Sequence, residues 1–438
     1  MRSARFSLFA VFLAVVAAPA TFAQAEAASV TAVAEPATRQ SLSDFYAMRG
    51  GEPLWLRDGA GDAATILLEY LRTADADGLD PDRYSIPELA DALRAAWGGS
   101  PEKVRAADRM LSEAFVAYVR DLKRRPPAGL IWVDPELKPA PPSPRQLLES
   151  ASEASSLEAW LADMRWMHPI YAGLRDALVR GSGSAADRQL LRLNLERARA
   201  LPAGNGRHIV VNATAQRLTA YENGEIVDSM NVVVGKPKNP TPMMAALIRF
   251  ASLNPYWYVP PDLAAERIAP NVLKGGLRYL DTHGYQVMAN WNDDSTVIDP
   301  ATIDWQAVAD GTKQVWIRQL PGPGNSMGQM KFMFPNDQGI YLHDTPQKEL
   351  LSEASRMFSG GCVRLEDAAR LGRWMFGRPL SPASNAPELR VDLPKPVPVY
   401  ITYLTVMPSN GELAVYPDIY GRDRDELVMR SQRMMAGN

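Results

Sequence analysis

Apolar residues along this chain follow two different periods. From Ser41 to about Leu201 they recur at three-and-four spacing, within 63–73, 86–97, 101–124, 147–165, 169–179 and 186–200, which predicts amphipathic helices. Residues 135–144 interrupt that texture with prolines and no period, and predict an extended surface connection. After the break at 202–206 the period becomes two. Residues 208–212, 217–221 and 226–234 predict strands, with a hairpin turn at Glu222-Asn223-Gly224-Glu225. Strand texture fails between about 261 and 309, where 262–273 reads as helical and the rest as polar with several aromatics. It resumes at 315–319, 331–336 and 340–342. Residues 363–371 then predict a helix with acids in its first turn. Residues 379–396 read as loop, and 397–407 with 412–416 as two strands around Ser409-Asn410-Gly411. The pattern is that of an α+β multidomain protein.

The N-terminus adds an export signal. Met1 to Arg5 carries two arginines, an apolar run follows from Phe6 to Ala18, and small residues close the segment, so 1–25 predicts a secretory signal peptide. Residues 26–40 read as a linker. Nothing later reaches eighteen consecutive apolar residues, so no membrane span is expected in the mature chain. The net charge of −3 gives no basic footprint for nucleic acid. With 46% hydrophobic residues the chain supports two or three domains with cores of their own.

Candidate chemistry centres on the single cysteine, Cys362. One cysteine forms no internal disulfide, and a free thiol kept in an oxidising compartment argues for a task. Cys362 follows the flexible turn Ser359-Gly360-Gly361 and precedes the predicted helix. A helix N-terminus favours a thiolate, and the N–H groups of Gly361 and Cys362 could hold an oxyanion. His343 ends the apolar run Ile340-Tyr341-Leu342, so a strand would deliver an imidazole beside the thiol for nucleophilic acyl transfer. Against this stands a packing role for a lone buried cysteine, which the Ser-Gly-Gly turn does not require. His168, before a proline, and His208, on a strand, read as structural; His283 lacks a partner. Asp75 to Asp80 lacks the spaced acids of a calcium loop and reads as a turn and helix cap.

Ser359-Gly360-Gly361-Cys362-Val363-Arg364, with His343-Asp344-Thr345-Pro346 upstream, resembles the signature of L,D-transpeptidases with a YkuD-type catalytic domain, in the YcbB-like branch. The commoner motif has histidine where Gly360 stands. Asn254 to Pro261, Val234-Gly235-Lys236, Thr241-Pro242, and the order Arg318-Gln319, Gly322 to Gly328, Lys331 to Asn336 follow the same family. The resemblance implies a helical scaffold domain (41–201), a mostly-β, sandwich-like catalytic domain (206–380) with a capping insertion at about 261–309, and a C-terminal loop, hairpin and tail (381–438). No copy of the peptidoglycan-binding module of larger relatives is evident. The implied activity is periplasmic. Cys362 attacks the diaminopimelate–D-Ala bond of a donor tetrapeptide, His343 acts as base, and a backbone carbonyl near Asp344, or the Asp344 side chain, orients the imidazole. The thioester then passes to a diaminopimelate amine, giving 3→3 cross-links. Tyr341, Ser359, Gly360 and Arg364 are candidates for substrate positioning. No metal or organic cofactor is implied. Implied partners are peptidoglycan stem peptides and other cell-wall enzymes; carbapenems would acylate Cys362. An L,D-carboxypeptidase, a lipoprotein-attaching enzyme and an inactive wall-binding scaffold remain as alternatives. A papain-like protease would need the opposite order of cysteine and histidine.

Overall fold

The structure, a computed structural model, describes residues 36–124, 129–181, 183–204, 206–292 and 295–436. The expected export signal and residues 26–35 of the expected linker lie outside them. Residues 36–40 of that linker belong to the first helix, α1 (Pro36–Met48). It is followed by α2 (Ala63–Arg72), α3 (Ile86–Ala96), α4 (Pro101–Arg124), α5 (Pro144–Ser152), α6 (Leu157–Ala162), α7 (Pro169–Val179) and α8 (Ala185–Ala198). The long α4 shows why they pack: Leu111, Phe115, Val119 and Leu122 recur on one face and all are buried.

Two buried carboxylates pin this helical region together. Asp108 accepts the backbone N–H groups of Leu54, Trp55 and Leu56 at 2.7–2.9 Å. Asp77, in the segment with calcium-loop flavour, accepts from Tyr118 Oη at 2.7 Å, Tyr171 Oη at 2.6 Å and Arg175 Nε at 2.9 Å. Both of its oxygens are thus engaged by protein groups. Asp80 caps the next turn by accepting from the Asp82 N–H.

The strands are β1 (Ile131–Trp132), β2 (Arg207–Asn212), β3 (Arg217–Glu222), β4 (Glu225–Gly235), β5 (Met244–Leu253), β6 (Trp257–Val259), β7 (Tyr285–Met288), β8 (Trp316–Gln319), β9 (Met330–Met333), β10 (Leu342–His343), β11 (Met357–Ser359), β12 (Val363–Leu365), β13 (Leu389–Thr402), β14 (Val406–Ser409) and β15 (Glu412–Val415). The main sheet runs β1-β5-β13-β2-β3-β4-β12-β10-β9, and β9 pairs back onto β5. The two layers of the sandwich-like body are therefore hydrogen-bonded at both edges. Alternation along β2 explains its nearly continuous apolar run: Ile209 and Val211 face the interior of the closed sheet, while Val210 packs on the helical scaffold. His208 shares the scaffold face and meets His168 there, Nε2 to Nε2 at 3.1 Å.

Three expectations need correcting. Residues 363–365 are a strand, and the helix starts only at Ala368, capped by Asp367; Val363-Arg364-Leu365 alternates buried and half-buried, which is period two. The catalytic body does not end at 380, because β13 lies between β5 and β2 at the centre of the sheet. Of its three prolines, Pro394 and Pro396 fall in a register shift between Asp392 and Val397, where ladder hydrogen bonds are not required, and Pro398 lies in the ladder opposite Leu247. The connection expected over 135–144 opens with a single 3-10 turn at Pro135–Leu137 and ends where α5 begins at Pro144, and just before it β1 extends the main sheet beside β5.

The insertion folds around its own apolar cluster, which includes Trp257, Val259, Ile268, Leu280, Val287, Trp305 and Ile317. It contains the three-stranded sheet β6-β8-β7 and a helical stretch, 261–275, whose middle, Ala264–Ile268, winds as a π-helix.

Candidate active site

Strands β10 and β12 run parallel, with Leu342 opposite Val363 and His343 opposite Arg364. Leu342, Val363 and Leu365 point into the sheet's interior. Alternation then sends Tyr341, His343, Cys362 and Arg364 to the other face, beneath the insertion. Together with Trp257, Leu263, Met327, Gly339, Ile340, Ser359 and Gly360, they line a pocket of about 430 Å³. A cleft of about 470 Å³ between the scaffold and the β3–β4 turn is lined by no thiol or imidazole.

His343 is 1% exposed. Its Nδ1 lies 2.6 Å from the carbonyl oxygen of Asp344. A carbonyl only accepts, so Nδ1 carries the proton and Nε2 presents a lone pair. That Nε2 is buried without a hydrogen-bond partner. Burial, with the Arg364 charge nearby, pulls the imidazole down to about 3. The Asp344 carboxylate is turned elsewhere: it accepts the Gln329 N–H at 2.9 Å and Lys348 Nζ at 2.8 Å. It also fills the space over Gly328, where a Cβ would lie 2.3 Å from it.

The thiol of Cys362 donates to the carbonyl of Gly339 at 3.5 Å. Desolvation pushes it up to about 11, against a lowering by the Tyr341 N–H and the Arg364 charge. At pH 7 both members are thus neutral: the thiol keeps its proton and the imidazole is free to take one. The expected helix dipole plays no part, because Cys362 precedes a strand.

The turn before the thiol is built from short-range bonds. Ser359 Oγ accepts the Gly361 N–H at 3.1 Å and donates to the Cys362 carbonyl at 2.6 Å. Ser359 therefore shapes the turn while it lines the pocket, and the Gly361 N–H is already spent, which corrects the expectation that this N–H holds an oxyanion. The Cys362 N–H meets no acceptor among the described residues. Gly361 adopts φ +122°, which a side chain rarely tolerates, and a Cβ at Gly360 would touch Leu263 of the insertion at 3.4 Å. Arg364 donates to Gln347 at 2.9 Å, its Nε is buried without a partner, and it meets no carboxylate among the described residues. Tyr341 packs between the main core and the insertion.

Two supports escaped the sequence reading. Thr241 Oγ1 accepts the Gly235 N–H at 2.9 Å and donates to the Gly361 carbonyl at 2.8 Å, and Tyr420 Oη donates to the Gly235 carbonyl at 2.7 Å. They lie 120 and 59 residues from Gly361, so although Thr241-Pro242 stands out as a family-like landmark, nothing in sequence ties either residue to this turn. His168 and His208 are buried against the scaffold, and His283 packs on Tyr279 and Tyr285 within the insertion, so none of the three lines the pocket. No group of three His, Cys, Asp or Glu able to hold a metal occurs among the described residues. No helix there is long and apolar enough to cross a membrane.

Comparison with known proteins bears on this arrangement. Residues 40–178 match the scaffold domain family, and residues 206–382 match the L,D-transpeptidase catalytic domain family. A protein of Haemophilus influenzae named "Putative L,D-transpeptidase" is 28% identical over 396 residues, covering 87% of this chain and 78% of that protein. Among solved structures, an L,D-transpeptidase from Mycobacterium smegmatis shares 14% identity over 46% of this chain and 63% of its own, with a TM-score of 0.24. The Ldtfm–avibactam carbamoyl enzyme shares 12% identity over 46% of this chain and 51% of its own, with a TM-score of 0.22. Likenesses of that size add no argument to the two domain matches.

Proposed function

We propose that this chain, whose residues 206–382 match the L,D-transpeptidase catalytic domain family and whose residues 40–178 match the scaffold domain family, is a periplasmic peptidoglycan L,D-transpeptidase that forms 3→3 cross-links. The observation behind this reading is that one pocket is lined by one thiol and by one imidazole whose Nδ1 is fixed by the Asp344 carbonyl and whose Nε2 is empty.

In this reading the resting pair is neutral, and the proton moves only as bonds change. The Cys362 sulfur attacks the carbonyl carbon joining the L-centre of diaminopimelate to D-Ala, and its proton passes to His343 Nε2. The carbonyl oxygen becomes an oxyanion held by the Cys362 N–H, with Arg364 adding positive charge. Collapse breaks the C–N bond. His343 returns the proton to the leaving D-Ala amine, and a thioester remains. The side-chain amine of a second diaminopimelate then attacks, gives a proton to His343, and expels the sulfur, which is reprotonated. Residues 1–25 act as the export signal. Water in place of the amine would make the same thioester a trimming intermediate.

The test has two stages. Intact mass after mixing with a carbapenem should show one adduct on the parent, none on Cys362→Ala, and slow formation on His343→Ala. Incubation with disaccharide-tetrapeptides should then yield cross-linked dimers with loss of D-Ala. Tripeptide products alone would replace cross-linking with hydrolysis, and a folded parent that takes no adduct would overturn the catalytic reading.

A further inference from the structure

The insertion's small sheet has two unlike faces. Inward, Trp257, Val259, Tyr285, Val287 and Ile317 are buried. Outward, Tyr258 stands opposite Arg318, which stands opposite Gln286. Trp316, two residues before Arg318, shares that face, and Trp291 meets Tyr258 edge to face at 5.2 Å. Tyr258, Trp291 and Trp316 are 41%, 39% and 38% exposed, so three large rings stand in solvent although the inner face already has its own aromatics. They are held in place. Arg318 lies 4.4 Å over Tyr256 and donates to Gln286 at 2.9 Å, and the Lys331 ammonium lies 5.7 Å over Tyr258.

We propose that this outer face is a binding platform for the glycan strand of the cell wall, a polymer of N-acetylated amino sugars. A pyranose ring presents one face of C–H bonds, which pack on the electron-rich face of an aromatic ring, and a rim of hydroxyl and amide groups, which need donors and acceptors. Rigid rings beside a guanidinium and a carboxamide supply both. Arg318 meets no carboxylate among the described residues, and with its Nε on Gln286 its terminal N–H groups are left for acetamido or lactyl oxygens.

Position favours the same occupant. Trp257 lines the pocket holding Cys362, while its neighbour Tyr258 projects to the platform. Lys331, whose ammonium covers Tyr258, is the register partner of His343. A four-residue stem extends at most about 14 Å. A glycan whose stem reaches the thiol must therefore pass close to the pocket rim. This inference rests on the acyl-transfer reading for its choice of polymer, but not for its test.

The experiment uses the mature chain in a Cys362→Ala background, where no acyl transfer occurs. Calorimetric titration with chitohexaose and co-sedimentation with glycan strands stripped of stem peptides should both report binding. Trp291→Ala and Tyr258→Ala should weaken it about tenfold or more, whereas Tyr258→Phe, which keeps the ring, should bind like the parent. Thermal melts confirm that each variant is folded. Binding to intact sacculi but not to stripped strands would overturn the proposal in favour of stem-peptide recognition alone. So would equal binding by Trp291→Ala, or no saccharide binding by the parent. Because carbapenem acylation is read on the parent separately, loss of the platform and loss of the transpeptidase reading give different results.

Discussion

Two buried polar clusters in this molecule are built on opposite principles. Around Asp77, the carboxylate oxygens are matched by two tyrosine hydroxyls and the Arg175 guanidinium, and Arg175 also reaches the Tyr70 and Thr73 carbonyls. Around His343, one imidazole nitrogen is held and the other is left empty, Arg364 keeps an unpaired Nε, and the thiol reaches the Gly339 carbonyl only at 3.5 Å. A saturated network fixes a fold. An unsaturated one keeps a cost of about 1–3 kcal/mol for each orphaned group, and keeps it where a substrate can remove it. Orphaned atoms are not confined to the pocket, since Trp166 Nε1, Arg199 Nε and His208 Nδ1 are also buried without partners; what sets His343 apart is that its empty nitrogen belongs to a residue lining the same pocket as Cys362.

The sharpest way to break that contrast is to exchange the expected outcomes. His343→Ala should slow carbapenem acylation of Cys362 by about 10²–10⁴, as loss of a general base does, with a melting temperature equal to the parent's or higher. A large loss of stability would show that the imidazole is structural. Asp77→Ala should do the opposite, lowering unfolding free energy by about 3–5 kcal/mol because Arg175 is left buried and unpaired. Its acylation rate, followed by mass spectrometry well below the melting range, should stay within a few-fold of the parent.

Acid should sharpen the picture further. Three buried histidines are neutral in the fold: His343 is lowered to about 3, His208 to about 4, and His168 well below its ordinary value, all mainly by burial. In the unfolded chain each takes a proton near pH 6.5. Their contribution to stability is therefore full above pH 6.5 and is lost as pH falls toward the folded values. Each costs at most about 1.4 kcal/mol per pH unit in that window, and denaturant titrations at pH 7, 6 and 5 measure the slope. Acylation, by contrast, should stay flat between pH 5 and 9, since the thiol sits near 11 and the imidazole near 3; a limb near pH 6.5 would contradict the neutral pair. The smallest expected effect is Arg364→Lys, which keeps the charge but not the bond to Gln347, and should slow acylation about tenfold or less.

Much of this was legible from local pattern. The two periods separated helical scaffold from strands, and the hairpin signal at Asn223-Gly224 falls where β3 turns into β4. The thiol and the imidazole were singled out from composition and spacing, and the structure puts both on one pocket wall. The failures share a cause. The alternation of Val363 to Leu365 lasts only three residues, so in sequence it merges with the helical pattern that follows, and the acids Glu366 and Asp367 read as the first turn of a helix that starts too early. Pro394 and Pro396 hid the first half of β13, residues 389–396 that read as loop, while its second half falls in the strand expected from 397. Thr241 and Tyr420 act on Gly361 and Gly235 only through chain closure, which no local window contains.

The place of β13 has a consequence for how the molecule comes into being. The strand that seams β5 to β2 is synthesised after Cys362, and Tyr420, which braces Gly235 behind the turn before that cysteine, comes later still. A nascent chain that has already released Cys362 therefore lacks a closed sheet to carry it. The reactive group is made before its housing, and a copy truncated ahead of residue 389 would leave that housing open.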